Sequence, residues 1–219
     1  MTRLPLHSWA VSTREARELQ VELAGRVERA DRIGPVAHVA GLDVGFEDSG
    51  RVARAAVAVL SWPDLALAAT AVARVPVSFP YVPGLLSFRE IPALLAAWQR
   101  LSIRPDLLLC DGQGIAHPRR LGIASHLGLW LDVPSIGVAK SRLIGSHGPV
   151  PEAKGGWTPL MDGEETIGAV LRSRARCKPL FVSSGHRVGL ESAVAWTLAC
   201  ITRYRLPETT RQAHRLASG

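Results

Sequence analysis

The stretch HVAGLDVGFEDSGRVARAAVAVLSWPDLALAATAVARVPVS, His38 to Ser78, decides the fold. Three runs rich in Val, Ala and Leu, His38 to Phe46, Arg51 to Ser61 and Ala66 to Ser78, are separated by the turn signals EDSG and WPD. Adjacent strands on such short links predict an antiparallel meander. In the first run, alternation puts Val39, Gly41, Asp43 and Gly45 on one face. A carboxylate in mid-strand is costly when buried unpaired, so Asp43 must be paired, protonated, at a sheet edge or on a metal ion. The glycines beside it would let a ligand or ion approach the backbone.

Outward from the meander, Thr13 to Ala30 carries apolar residues at helical spacing (Ala16, Leu19, Leu23, Val27) and reads as an amphipathic helix. Downstream, helices are expected over Pro92 to Leu101, Arg119 to Leu131 and Leu190 to Tyr204. Strands are expected over Leu107 to Cys110, Ser135 to Lys140, Thr166 to Leu171 and Leu180 to Ser183, with a Gly/Pro-rich loop from Gly145 to Gly156. The order predicts an α/β domain: a mixed sheet with an antiparallel three-strand start, flanked by helices. At 219 residues the chain is expected to form a single domain, 1–219.

Hydrophobic residues make up 47% and charged residues 21%, a globular balance, and no apolar run approaches the roughly 20 residues of a membrane helix. The start of the chain shows no export signal, so a soluble cytoplasmic protein without a membrane partner is expected. Cys110, Cys177 and Cys200 are scattered and include no CxxC pair, which argues against a disulfide framework or a zinc site. The net charge of +7 and the pI near 10.1 favour a polyanionic partner, nucleic acid first. Arg supplies 23 of the 26 basic residues, so base usage in the gene explains the excess equally well.

A second carboxylate, Asp111, ends the apolar run LLLCDG. If its strand neighbours that of Asp43, the two converge as hard oxygen ligands suited to Mg²⁺, and with the basic charge they point to phosphodiester chemistry. Glu90 has two readings. In SFRE, Ser87 to Glu90, it fits a capping box at a helix start, whereas Pro92 would push that start downstream and leave Glu90 as a third carboxylate. In DGQGIAHPRRLGIASHLG, Asp111 to Gly128, glycines surround two histidines and Arg119-Arg120, a pattern that suits phosphate. Lys140, one of three lysines, is a candidate phosphate contact. His214 shares a face with Arg211 if that segment is helical.

These residues together resemble the endonuclease V family of deaminated-base repair nucleases. The resemblance runs through GLDVGF (Gly41 to Phe46), PYVPGLLSFRE (Pro80 to Glu90), DGQGIAHPRRLGIASH (Asp111 to His126), VPSIGVAKSRL (Val133 to Leu143), SGHRVGLESA (Ser184 to Ala193) and YRLPETTRQAH (Tyr204 to His214). It implies a ribonuclease H-like fold, with parallel strands after the antiparallel start. It also implies an endonuclease that uses Mg²⁺, with Mn²⁺ as a substitute, recognises hypoxanthine in DNA and cuts the second phosphodiester bond on its 3′ side. An inosine-containing or single-stranded RNA is the alternative substrate, and a monomer is expected. Carried over, Asp43, Glu90 and Asp111 match the metal-site carboxylates, and His214 a catalytic position near the metal. Tyr81, between Pro80 and Pro83, matches a wedge tyrosine, while His117 and Lys140 match basic residues near the scissile strand, and Arg119 of the Gly-rich segment is a further candidate phosphate contact. An aromatic ring on so stiff a turn can fill the gap left by a flipped base. Gly84, Gly112, Gly122 and Gly137 are expected to offer bare backbone to that base. Gln113 departs from the pattern, since a His is common there and a neutral amide cannot carry its charge.

Overall fold

The computed structural model describes residues 5–219. Eight strands form one sheet in the order β3-β2-β1-β4-β5-β8-β7-β6. The meander is present: β1 (His38–Glu47), β2 (Val52–Ser61) and β3 (Leu67–Pro76) pair antiparallel. β4 (Leu107–Cys110) and β5 (Ser135–Ala139) continue the sheet parallel to β1. Beyond them, β8 (Leu180–His186), β7 (Glu165–Leu171) and β6 (Trp157–Asp162) are antiparallel again, so the parallel part is confined to the centre.

Alternation along the central strands sorts the helices. Val39, Leu107, Leu109 and Ile136 pack against Ala193 and Val194 of α4 (Leu190–Ala199) and Ala213 of α5 (Glu208–Ser218). Their neighbours Ala40, Leu42, Leu108 and Cys110 pack on the other face, against Ile91 and Leu94 of α2 (Leu86–Gln99) and Ala124 and Leu127 of α3 (Ile123–Leu131). Each fully buried Leu contributes about 1.5 to 3 kcal/mol of transfer free energy. α1 (Thr13–Ala24) opens on a complete capping box, Ser12 with Glu15, and stops earlier than its sequence pattern suggests.

Three expectations need correction. α2 begins at Leu86, not Pro92; it holds Pro92 inside and is capped by Leu85 without a side-chain bond. Proline has no N–H to offer Phe88, so the helix gives up one hydrogen bond there, and buried Phe88, Ile91 and Leu94 keep it in place. α3 is delayed to Ile123, because Gly122 is its N-cap, and α4 ends at Ala199, short of Tyr204. β6 is an additional strand at the sheet edge, where Pro159 is tolerated because one side has no ladder to serve.

Candidate active site

β4 stops at Cys110, opposite Leu42, so Asp43 is the first residue of β1 beyond its parallel partner. The chain leaves β4 through Asp111, whose N–H donates to the Leu42 carbonyl at 3.1 Å. The two carboxylates therefore meet at the carboxyl end of the central strands. Gly41 and Gly45, expected to admit an ion, admit a helix instead. A Cβ on Gly41 would lie 2.0 Å from the Thr209 carbonyl oxygen and one on Gly45 2.4 Å from that of Ala217. α5 thus rests on bare backbone on either side of Asp43, which brings His214 Nδ1 to 2.7 Å from Asp43 Oδ2. A carboxylate only accepts, so the imidazole donates through Nδ1.

Ligand atoms of Asp43, Asp111 and His214 lie within 4.8 Å of one another. Glu90, on α2 at the opposite face, is outside that trio but lines the same cavity as Asp111 and feels the charge of both aspartates. Burial foremost, then the charges of Asp43 and Asp111, push its carboxyl up to about 8, with Arg89 opposing. Arg89 is itself committed to the carbonyls of Phe79 (2.9 Å) and Gly50 (2.7 Å). Burial also raises Asp111, against an ion pair with Lys140 at the end of β5. Three carboxyls beside one lysine and one histidine offer a set of oxygen ligands that fits a hard divalent cation. The cap reading of Glu90 fails, since no side chain caps α2, and the Ser87 hydroxyl lies 3.0 Å from His126 Nδ1 instead.

The acidic cluster forms one end of a cavity of about 360 Å³ that Glu90, Asp111 and Lys140 share with Tyr81, Pro83 and Gly84. That volume suits a small-molecule or base-sized ligand, for which roughly 300 to 1,000 Å³ is usual. Tyr81 stands 70% exposed on the lip. Behind it, the Gly84 carbonyl accepts from His117 Nε2 (2.9 Å), Gln20 Nε2 (3.0 Å) and Arg119 Nη2 (3.0 Å). Gly84 has φ +78, a conformation that favours glycine. Gln20 also accepts from Arg119 Nε at 2.6 Å, so one buried amide ties the clamp together.

This clamp engages two residues expected as phosphate contacts. His117 is buried, its Nδ1 accepts from the Arg119 N–H at 3.2 Å, and burial lowers it to about 4. It is neutral and holds a turn, and Arg119 holds the same turn. Gln20 went unrecognised, although a polar residue inside the apolar stripe of α1 is a visible signal. Gly112 and Gly122 line the cavity as expected, but Gly137 does not. A Cβ there would lie 2.2 Å from the Gly114 nitrogen and 2.8 Å from the Gly112 oxygen, so Gly137 supports the wall from behind. Gln113 lines the cavity and donates through Nε2 to the Ser141 carbonyl at 3.0 Å.

The sequence profile of endonuclease V matches residues 21–215. The chain belongs to the endonuclease V family. The endonuclease V of Trichormus variabilis is 56% identical over 213 residues, 97% of this chain and 96% of that protein. The crystal structure of endonuclease V from Streptomyces avermitilis, 46% identical, superposes with a TM-score of 0.91 over 96% of this chain and 93% of that one. Endonuclease V of Ciona intestinalis, in complex with a 23mer DNA containing an inosine followed by a ribo-adenosine, is 29% identical with a TM-score of 0.83, over 95% and 97%. Membership brings a ribonuclease H-like fold and a DNA-repair nuclease activity, and the family implies a divalent metal. Among the described residues, no helix is long and apolar enough to cross a membrane.

Proposed function

We propose that this endonuclease V recognises hypoxanthine in DNA and hydrolyses the second phosphodiester bond on its 3′ side, leaving a 3′-hydroxyl and a 5′-phosphate. One observation carries the reading: a single cavity joins Tyr81 and its stiff turn to Glu90 and Asp111. Recognition and cutting then occur at a fixed offset along one strand. Tyr81 fills the space vacated by the flipped base, at about 1 to 3 kcal/mol per stacked base, and the backbone of Gly84, Gly112 and Gly122 borders the pocket that receives it.

Asp43, Asp111 and Glu90 would hold Mg²⁺, with His214 fixing the orientation of Asp43. Bound there, Mg²⁺ supplies Lewis-acid charge for the attacking water and the leaving oxygen. Glu90 must release its proton to serve as a ligand, so cation affinity rises with pH up to about 8. Lys140, whose ammonium pairs with Asp111, stands at the cluster where it would face a phosphate of the bound strand.

The test is a nicking assay on end-labelled duplexes that differ by one inosine, in Mg²⁺ or EDTA, with Asp43→Ala alongside and a matched inosine RNA as a further arm. Cutting is expected only with inosine, Mg²⁺ and Asp43, one nucleotide beyond the base. Uncut inosine DNA in Mg²⁺ overturns the activity. Equal cutting of the undamaged duplex overturns the specificity, and preferential cutting of the RNA overturns the substrate.

A further inference from the structure

The chain has two tyrosines, and both are exposed: Tyr81 at 70% and Tyr204 at 46%. We propose that Tyr204, with Arg203 and Arg211, is a second stacking platform, which receives a base of the strand beyond the cut. This rests on the activity proposed above and extends it to the 3′ side of the scissile bond.

The Tyr204 ring has the Arg211 guanidinium carbon 4.7 Å from its centroid and that of Arg203 at 5.9 Å. A tyrosine ring stacked with guanidinium groups is a combination that binds single strands without regard to sequence; Arg211, paired with Glu208, steadies the ring, and Arg203 supplies charge for a phosphate. The loop that carries it is firmly held. Arg205 donates to the carbonyls of Lys178 (2.7 Å), Pro179 (2.8 Å) and Lys140 (3.1 Å), and its own carbonyl accepts from the Ser173 hydroxyl at 2.7 Å. Arg174 donates to the Arg203 carbonyl. Arg211 is fixed by both oxygens of Glu208, at 2.5 and 2.8 Å.

Position decides which part of the strand lies there. The cavity with Tyr81 is lined by residues of α2 and α3, whereas α4 and α5 cover the opposite face of the sheet. The acidic cluster lies between them, at the end of the central strands. Lys140, whose carbonyl Arg205 grips, is the residue that pairs with Asp111. Arg211 precedes His214 by three residues of α5, a rise of about 4.5 Å. A strand with its altered base in the cavity and its phosphate at the cluster passes across the ends of the central strands and continues over this loop. Because the cut is 3′ to the altered base, the segment that continues is the 3′ one.

The test is an anisotropy titration in EDTA with two labelled inosine strands, one extending well past the scissile phosphate and one ending just beyond it. Tyr204→Ala is expected to weaken binding of the long strand about tenfold, roughly the worth of one base–aromatic stack, and that of the short strand by less than about twofold. Tyr204→Trp retains the affinity for the long strand. Equal losses on both strands, or none on either, overturn the platform. A protein that shows the Tyr204-dependent difference yet leaves inosine DNA uncut in Mg²⁺ refutes the proposed activity and leaves the platform standing.

Discussion

The turn that carries Tyr81 and the cluster around Asp43 share one cavity and are built in opposite ways. At the turn polar groups are densely paired: the Gly84 carbonyl accepts three donors, and Gln20 and Arg119 are hydrogen-bonded to each other. At the cluster the carboxyls of Asp43, Glu90 and Asp111 lie near one another; Glu90 is pushed up to about 8, and burial raises Asp111 from its ordinary value against the pull of Lys140. A probe that must displace a base has to be rigid before the substrate arrives, whereas a cation site has to keep negative charge unspent. Proximity alone gives a cavity; the contrast in satisfaction assigns its two ends different work.

The severest way to break the contrast is to remove charge from the cluster. Asp111→Asn takes away one ligand and leaves Lys140 without its partner. Cleavage of inosine DNA in Mg²⁺ is expected to fall on the order of a thousandfold, and a variant within about tenfold of the parent would show that Asp111 does not hold the cation. Calorimetry supplies a second readout. A cation at a hundredfold excess over its Kd stabilises the parent by about 2.7 kcal/mol, and that gain disappears in the variant.

Glu90→Gln probes the same cluster through pH. Between its ordinary value of 4.5 and about 8, the folded protein keeps a proton on Glu90 that the unfolded chain has lost. The folded state binds more protons in that window, so this group costs stability as pH rises through it and nothing below it. In EDTA, Glu90→Gln should therefore gain on the parent as pH rises, at a slope of up to about 1.4 kcal/mol per unit. Denaturant titrations at several pH values check this. Parallel curves for the two proteins would mean that Glu90 carries no such burden.

Asp43 and Asp111 were legible in the sequence because a carboxylate in an apolar strand must be accounted for, and the meander because its turns are short. The four-residue pattern Ser-x-x-Glu shows where legibility ends. Ser12 and Glu15 form a capping box, while Ser87 and Glu90 match the same pattern and form none, one turning to His126 and the other to the cluster. Only tertiary contacts separate the two. The role of Gly41 and Gly45 was hidden for the same reason, since what approaches them is α5, distant in sequence. β6 escaped notice because Pro159 contradicts a strand everywhere except at a sheet edge.

The mildest test addresses the satisfied end. Gln20→Met keeps the side chain's bulk but withdraws the donor shared by the carbonyls of Gly84 and Leu121 and the acceptor for Arg119 Nε. Leaving buried polar groups unpaired is expected to cost about 1 to 3 kcal/mol in a denaturant titration. Tyr81→Ala, at an exposed position, should change stability by less than about 0.5 kcal/mol. Both changes weaken binding of an inosine strand, one by loosening the turn and the other by removing the ring, and both leave the cation's stabilising effect intact. If Gln20→Met lowers stability yet binds inosine strands as tightly as the parent, rigidity of the turn is not what the probe requires, and the contrast between the two ends of the cavity loses its functional meaning.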